Sequence, residues 1–198
     1  MKFSEIHKYN SYHGVAYHGS GELFKEFDQN KARIANDYWG GGVGYFTRNK
    51  NIAKLYAKAM SKITKTPYVY TVNLSLEKIF DQNDTFSGSR LINLLPKDLD
   101  KFSRGAGLMS LHYLENIDKF LLIHKLKKGD ITLTGKQVFF GLSGGGINTS
   151  VARKTLIKNG YDALRYEGGV LMGVVSHDVF VVYFKKSIEI NDIEKLNI

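Results

Sequence analysis

The sequence predicts a single α+β domain, on three observations. Strand and helix signals alternate between residues 14 and 84. Residues 52–60 repeat apolar side chains at the spacing of an amphipathic helix. The unbroken apolar run Val179–Phe184 is typical of a strand that is buried on both faces. The chain has 198 residues, enough for one compact domain with its own core, and we predict no domain boundary within 1–198.

Composition excludes several kinds of chemistry. The chain has no cysteine, which removes disulfides, cysteine metal sites and thiol nucleophiles. Its histidines lack metal-ligand spacing, so we predict no metal site. No apolar run approaches the roughly 18 residues of a membrane span. There is also no sign of a secretory signal. We therefore expect a protein of the cytoplasm, in the producing or the host cell, with no membrane partner.

The net charge of +9 favours an acidic partner. That partner can be a nucleic acid, an acidic protein or a dinucleotide that carries phosphates. Solubility conferred by surface lysines is the alternative explanation of the charge.

The predicted elements place two short motifs near the start of the chain. A strand over residues 15–18 ends at Gly19-Ser20, and a glycine-rich stretch leads into a second strand at 45–47. A helix follows at once. Its predicted apolar stripe consists of Ile52, Leu55, Tyr56, Ala59 and Met60.

The rest of the chain continues this mixture of elements. A strand is predicted at 68–74, and a helical insertion over about 85–135. Residues 137–140 resemble a strand, and a helix over 150–158 ends at Asn159-Gly160. Further strands are predicted at 162–166, 179–184 and 187–190, the last at a sheet edge.

The two early motifs combine residue types that suit the nicotinamide end of NAD. Cleavage of the nicotinamide–ribose bond requires groups that hold the carboxamide, the ring and the ribose. The backbone of Gly19 can approach a carboxamide closely, so that its C=O accepts a hydrogen bond from the carboxamide NH2 and its N–H donates one to the carboxamide oxygen. The Ser20 hydroxyl can add a further hydrogen bond. His18 can bind a ribose hydroxyl. Tyr45 and Tyr56 can stack on the two ring faces, each contact contributing about 1 kcal/mol.

Each of these residues also has a purely structural interpretation. His18 can be a satisfied histidine at a strand end, and Tyr56 can be a core aromatic of its helix. Ser20 can cap the turn that follows. The order and spacing of the motifs favour the functional interpretation.

The motifs resemble a known family. Tyr-His-Gly-Ser at 17–20 and Gly-Tyr-Phe-Thr at 44–47, with Tyr56 eleven residues after Tyr45, resemble the H-Y-E branch of ADP-ribosyltransferases, to which diphtheria toxin and the poly(ADP-ribose) polymerases belong. The resemblance extends to the ADP-ribosyltransferase domains of phage polyvalent proteins. Residues 160–164 and 180–183 are similar to two late motifs of the family.

The resemblance implies a fold and a site. The fold would be two packed mixed or antiparallel β-sheets around an NAD cleft, with flanking helices and the helical insertion. NAD would be the co-substrate. His18 and Tyr45 would be catalytic, and Asp178 is our candidate for the third catalytic residue. The residues expected to bind NAD are His18, Gly19, Ser20, Tyr45, Phe46, Ala53 and Tyr56.

One position departs from the family pattern. Aligned on residues 180–183, the place of the catalytic glutamate is taken by Val179, which cannot bind a ribose hydroxyl. Asp178, one residue earlier, is our candidate acid, although in a regular strand it points to the opposite face. Glu167 is a second candidate, and the absence of any acid is the third possibility. His177 shares the face of Val179 in a regular strand.

We therefore predict an enzyme, a mono-ADP-ribosyltransferase that modifies a macromolecule, protein or nucleic acid, and releases nicotinamide. A phage or bacterial effector fits this description. The connection over 167–176 is expected to face the acceptor. The alternatives are an NAD glycohydrolase toxin and a catalytically silent module that binds NAD, ADP-ribose or nucleic acid.

Overall fold

The computed structural model describes residues 10–28, 41–64, 66–87, 90–91, 94, 124, 128, 130–144, 146, 148–169 and 175–197. The strands in these ranges are β1 (Asn10–Ser20), β2 (Gly44–Thr47), β3 (Tyr68–Asp81), β4 (Thr85–Phe86), β5 (Leu133–Thr134), β6 (Ala163–Gly168), β7 (His177–Val182) and β8 (Ile188–Lys195). The helices are α1 (Lys50–Thr64), α2 (Gly135–Leu142) and α3 (Thr149–Lys158), and a 3-10 turn covers Lys185–Ser187.

The main sheet closes on itself. Its strand order is β1-β2-β7-β6-β3-β8, and β1 also pairs with β3 along nearly its whole length. The strands β1, β2, β7, β6 and β3 therefore form a closed five-stranded barrel, while β8 pairs with the first half of β3. The predicted α+β class is confirmed. The barrel takes the place of the two packed sheets that we expected.

Alternation along the strands separates two cores. Phe46, Phe180 and Val182 point into the barrel, where they pack with Ala16 and Tyr70, and we call this group the interior core. The outer core lies between the barrel and the helices α2 and α3. Its buried members are Phe80, Phe86, Leu91, Leu94, Leu133, Val138, Phe139, Leu142, Ala152, Leu156, Tyr161, Leu164, Val181 and Tyr183.

Helix α1 begins where the sequence predicts it and turns a different face inward. The Asn49 side chain accepts hydrogen bonds from the backbone N–H groups of Asn51 and Ile52, at 3.0 and 3.4 Å, and so caps the first turn. Ala53 and Ala57 are buried against Val69 and Leu196, whereas Leu55 of the predicted stripe is 49% exposed. The small side chains on the buried face let the helix lie close to the sheet.

Residues 137–140 are helical, so the strand-like interpretation of this segment is wrong. The Thr134 side chain accepts a hydrogen bond from the Gln137 backbone, and the Gln137 side chain accepts one from the Thr134 backbone. This reciprocal cap fixes the first turn of α2. Val138, Phe139 and Phe140 are buried, and packing of this kind outweighs the β-propensity of such residues.

Most of the predicted insertion over 85–135 lies outside the described residues. Its two ends meet, because β4 pairs with β5 through Thr85↔Thr134 and Phe86↔Leu133. Leu91 and Leu94 belong to the outer core. In the part of the chain that the structure describes, no helix is both long and apolar enough to cross a membrane.

Candidate functional site

His18 lies near the end of β1, inside the barrel. Its Nδ1 is 2.8 Å from the backbone carbonyl oxygen of Tyr45 on β2. A carbonyl oxygen only accepts hydrogen bonds, so Nδ1 must carry the proton and donate. Burial lowers the pKa of His18 to about 4, which leaves the ring neutral at pH 7. A neutral ring protonated at Nδ1 presents Nε2 as an acceptor.

Four aromatic rings surround the His18 imidazole, and we call them the aromatic cage. Their centroids lie 5.2 to 6.0 Å from that of His18. The cage consists of Phe24, Phe27, Phe46 and Tyr70. The Phe24 ring stacks on Tyr70 at 4.2 Å, and the Phe24 backbone N–H donates to the Tyr70 hydroxyl oxygen at 2.6 Å. Phe24 and Phe27 are thus packed against His18 and Tyr70.

Gly19 and Ala53 meet where α1 crosses β1. A Cβ added to Gly19 would lie 2.1 Å from the backbone oxygen of Ala53 and 2.6 Å from the backbone nitrogen of Ala57. Glycine is therefore required here by helix packing, whatever it binds. The Ser20 hydroxyl accepts a hydrogen bond from the Glu22 backbone N–H at 3.0 Å, which is the turn-capping arrangement.

Tyr45 and Phe46, adjacent on β2, point to opposite sides of the barrel wall. Phe46 lies in the interior core and contacts the His18 ring, whereas Tyr45 packs against the outer core. The Tyr45 hydroxyl is buried there without a hydrogen-bond partner among the described residues. The bond from His18 to the Tyr45 carbonyl oxygen therefore links the two sides of the wall at one point.

Tyr56, half-buried on α1, lies beside His177 of β7. The two rings meet edge to face with centroids 6.1 Å apart, and burial raises the pKa of the Tyr56 hydroxyl. The His177 Nδ1 donates to the Val175 carbonyl oxygen at 2.9 Å, while its Nε2 is buried without a partner among the described residues. Alternation puts His177 on the outer face with Val179 and Val181.

Asp178 is held by two guanidinium groups. It forms an ion pair with Arg48 just after β2, and its Oδ1 lies 3.4 Å from Nε of Arg165 on β6. Arg165 also reaches Asp81 at the end of β3, with Nη1 3.3 Å from Oδ2. Asp178 shares the inward face of Phe180 two residues later, as expected for a regular strand. The structure thus gives its carboxylate two cationic partners.

Two other positions were considered for the catalytic acid, and neither has the ion-pair partners of Asp178. Val179, at the aligned position of the family glutamate, is 5% exposed and pairs with Thr47 of β2. Glu167 is exposed and accepts a hydrogen bond from the Ser176 hydroxyl. Within the described ranges, no cluster of three or more histidine, aspartate or glutamate side chains could hold a metal ion.

Comparison with known proteins gives little at the level of sequence. No protein-family model matches the chain, and no curated protein matches it. Among solved structures, it is similar to one from the M. tuberculosis MbcT–MbcA toxin–antitoxin complex, with 9% identity and a TM-score of 0.46 over 94% of this chain and 85% of that one. It is also similar to an anti-CRISPR protein, with 10% identity and a TM-score of 0.38 over 93% and 96% of the two chains. These scores are too low to assign a family or an activity.

The predicted residues do not all meet at one place. His18 and Phe46 share the aromatic cage, Tyr45 packs against the outer core, Tyr56 lies beside His177, Gly19 and Ala53 meet where α1 crosses β1, and Asp178 lies in an ion-pair network. Sequence reasoning gave no site role to the partners that define these groups. They are Phe24, Phe27, Tyr70, Arg48, Arg165 and His177. The alternation of β3 was a usable signal for Tyr70, because it places this ring in the barrel.

Proposed function

We propose that this protein cleaves the bond between nicotinamide and ribose in NAD and transfers the ADP-ribosyl group to a macromolecule. The observation that carries the proposal is the hydrogen bond between His18 Nδ1 and the Tyr45 carbonyl oxygen. That bond fixes the tautomer, and the low pKa of His18 keeps the ring neutral, so Nε2 is an acceptor suited to a sugar hydroxyl.

In the proposed complex, the ribose and the nicotinamide lie close to this bond. The His18 Nε2 accepts a hydrogen bond from a ribose hydroxyl and orients the sugar. Tyr45 and Tyr56 are proposed to hold the nicotinamide ring by stacking. Their rings lie on the other side of the wall from the His18 ring, so this part of the proposal requires them to rearrange when NAD binds. The backbone of Gly19 and the hydroxyl of Ser20 are proposed to hold the carboxamide.

The proposed reaction exchanges one bond at C1′ of the ribose. The bond to the nicotinamide nitrogen breaks, and its electron pair leaves with nicotinamide, which becomes neutral. A nucleophilic atom of the acceptor forms the new bond to C1′ and releases its proton to solvent. Val179 offers no charge to stabilise the oxocarbenium-like state, and two guanidinium groups offset the charge of Asp178. This arrangement favours a single transfer over chain elongation.

NAD labelled in its adenylate phosphate, incubated with the protein and a cell lysate, tests the proposal. We expect the label to appear on a macromolecule and nicotinamide to be released. Free ADP-ribose as the sole labelled product would instead make the protein a glycohydrolase. Unchanged NAD in the presence of lysate would overturn the proposal.

His18→Ala should reduce the rate of nicotinamide release at least tenfold, because the ribose loses its acceptor. His13→Ala is the matched control, since His13 is an exposed histidine of the same strand. Equal loss in both variants would show that His18 has no specific role.

Asp178→Ala tests the candidate acid separately. If Asp178 stabilises the developing charge, kcat should fall with little change in KM. Activity equal to that of the unmodified protein would remove Asp178 from the site and leave Glu167, or no acid, as the remaining possibilities.

A further inference from the structure

A second group of unpaired polar atoms lies where α3 covers the outer face of the barrel, away from the His18 cage. Arg153 of α3 is only 5% exposed, and its Nε has no hydrogen-bond partner in the described part of the chain. It forms no ion pair with any carboxylate of the described residues. Its guanidinium carbon instead lies 5.7 Å from the centroid of the Tyr183 ring. Burial lowers the pKa of Arg153.

Tyr183, directly after β7, is the second member of this group. It is fully buried in the outer core, and its hydroxyl has no hydrogen-bond partner among the described residues. The Tyr45 hydroxyl, also buried and unpartnered, lies on the same outer face. Tyr45 pairs with Val181, so Tyr183 is its diagonal neighbour across β2 and β7.

Burial of these groups without partners is unfavourable. A buried hydroxyl that makes no hydrogen bond destabilises the folded protein, and an unpaired buried charge destabilises it more. Nearly all buried polar groups in folded proteins have a partner. The contact of the Arg153 guanidinium with the Tyr183 ring is favourable, but it gives neither Nε nor the hydroxyl a hydrogen-bond acceptor. Positions that break such rules are typical of binding sites.

We propose that Arg153 and Tyr183 form a binding site for the carboxylate group of a small apolar acid. A guanidinium and a phenol hydroxyl both donate hydrogen bonds, and neither the Arg153 Nε–H nor the Tyr183 hydroxyl has an acceptor among the described residues. The ligand must therefore supply an oxyanion. A singly charged carboxylate neutralises one guanidinium, whereas a phosphate monoester at pH 7 carries about −1.5 to −2 charges and would leave part of its charge unpaired.

The surroundings indicate what the carboxylate is attached to. Ala152 and Leu156 of α3 and Val181 of β7 are fully buried members of the outer core around this group. An apolar body attached to the carboxylate fits such neighbours, because each polar atom added here would need a partner of its own.

Thermal unfolding with benzoate as the probe tests the proposal, with benzamide as its uncharged counterpart. A ligand that binds only the folded protein raises the unfolding midpoint as its concentration increases. We expect benzoate to raise the midpoint and benzamide to leave it unchanged. The same measurement with inorganic phosphate tests the choice of anion, and a larger shift with phosphate than with benzoate would overturn the carboxylate assignment.

Two variants locate the effect. Arg153→Met should abolish the response to benzoate, and Tyr183→Phe, which removes a single oxygen atom, should weaken the apparent affinity about tenfold. Lys154→Met is the matched control, because it removes one charge from an exposed position of the same helix and should leave the response intact. Without benzoate, the midpoints of Arg153→Met and Tyr183→Phe should equal or exceed that of the unmodified protein, since each variant removes an unpaired buried group.

No response to benzoate, or equal responses in the unmodified protein and Tyr183→Phe, would show that the two residues form only a packed contact. If Arg153→Met does not fold, Tyr183→Phe decides the outcome. None of these measurements involves NAD, so the site can fail while the proposed NAD chemistry stands, and the reverse also holds.

Discussion

The imidazole of His18 is neutral and enclosed by aromatic rings. Protonating it is therefore unfavourable in the folded protein, which makes the stability depend on pH. The pKa of His18 falls from 6.5 in the unfolded chain to about 4 in the folded protein. Between these two values the unfolded chain binds more protons, so stability rises with pH across this window.

Lowering the pH from 7 to 4 should therefore destabilise the protein through this residue, by about 3 kcal/mol at most. Urea denaturation at a series of pH values measures the slope. The variant His18→Gln should lose most of the pH dependence between 4 and 6.5. An unchanged slope in that variant would show that other groups cause it.

Gly19 provides a steric test of how closely α1 packs on β1. Gly19→Ala places a methyl group 2.1 Å from the Ala53 backbone oxygen, so the helix must move. We expect a loss of roughly 1–3 kcal/mol in the free energy of unfolding. The control is Gly14→Ala in the same strand, where the nearest atom lies at 3.4 Å and belongs to the Tyr12 side chain. Equal effects at the two positions would contradict the packing argument.

The NAD interpretation of the early motifs rests on residue types, and the sequence could not reveal which side of the wall each residue faces. Strand alternation separates the Tyr45 ring from that of Phe46, and closure of the barrel then places His18 with Phe46. Closure depends on the long β1–β3 pairing, a contact between residues far apart in the chain.

The helices show which local sequence signals were sufficient to locate an element. The spacing of apolar residues located α1, and Asn159-Gly160 correctly ended α3, where Gly160 has a φ of 80°. Residues 137–140 were mistaken for a strand because the run Val138-Phe139-Phe140 has high β-propensity. The cap formed by Thr134 and Gln137 was present in the sequence and would have indicated a helix start.

That cap can be tested directly. Thr134→Ala removes the side-chain acceptor for the Gln137 backbone N–H and should cost about 1 kcal/mol of stability. Thr132→Ala, two residues earlier and exposed, should change stability by much less. Equal effects of the two substitutions would show that the cap contributes nothing.

At the scale of the whole molecule, the ion pairs of Arg165 connect neighbouring strands of the barrel at one end. This guanidinium lies between Asp178 of β7 and Asp81 of β3, and the Asp81 side chain is only 5% exposed. Asp81 also accepts hydrogen bonds from Asn10 of β1 and from the Asn83 backbone. Four strands therefore meet through one chain of charged and polar groups.

Arg165→Met should destabilise the protein by roughly 3 kcal/mol, because it leaves the buried Asp81 carboxylate without its cation. Arg48→Met, which removes the more exposed partner of Asp178, should cost less than about 1 kcal/mol. The two variants can be compared by urea denaturation at low salt. A larger effect for Arg48→Met would show that the exposed pair, and not the buried one, holds this end together.

The strand β8 has a consequence for self-association. It pairs with β3 on one side, and in the described chain no strand covers its other side. A bare row of backbone donors and acceptors is a template on which a second molecule can add its own strand. Here the register shifts at Thr71/Val72, and β8 carries the charges of Glu189, Asp192, Glu194 and Lys195. An incoming strand would meet an interrupted ladder and a line of charges, so this rim opposes fibril growth and favours dispersed molecules at high concentration.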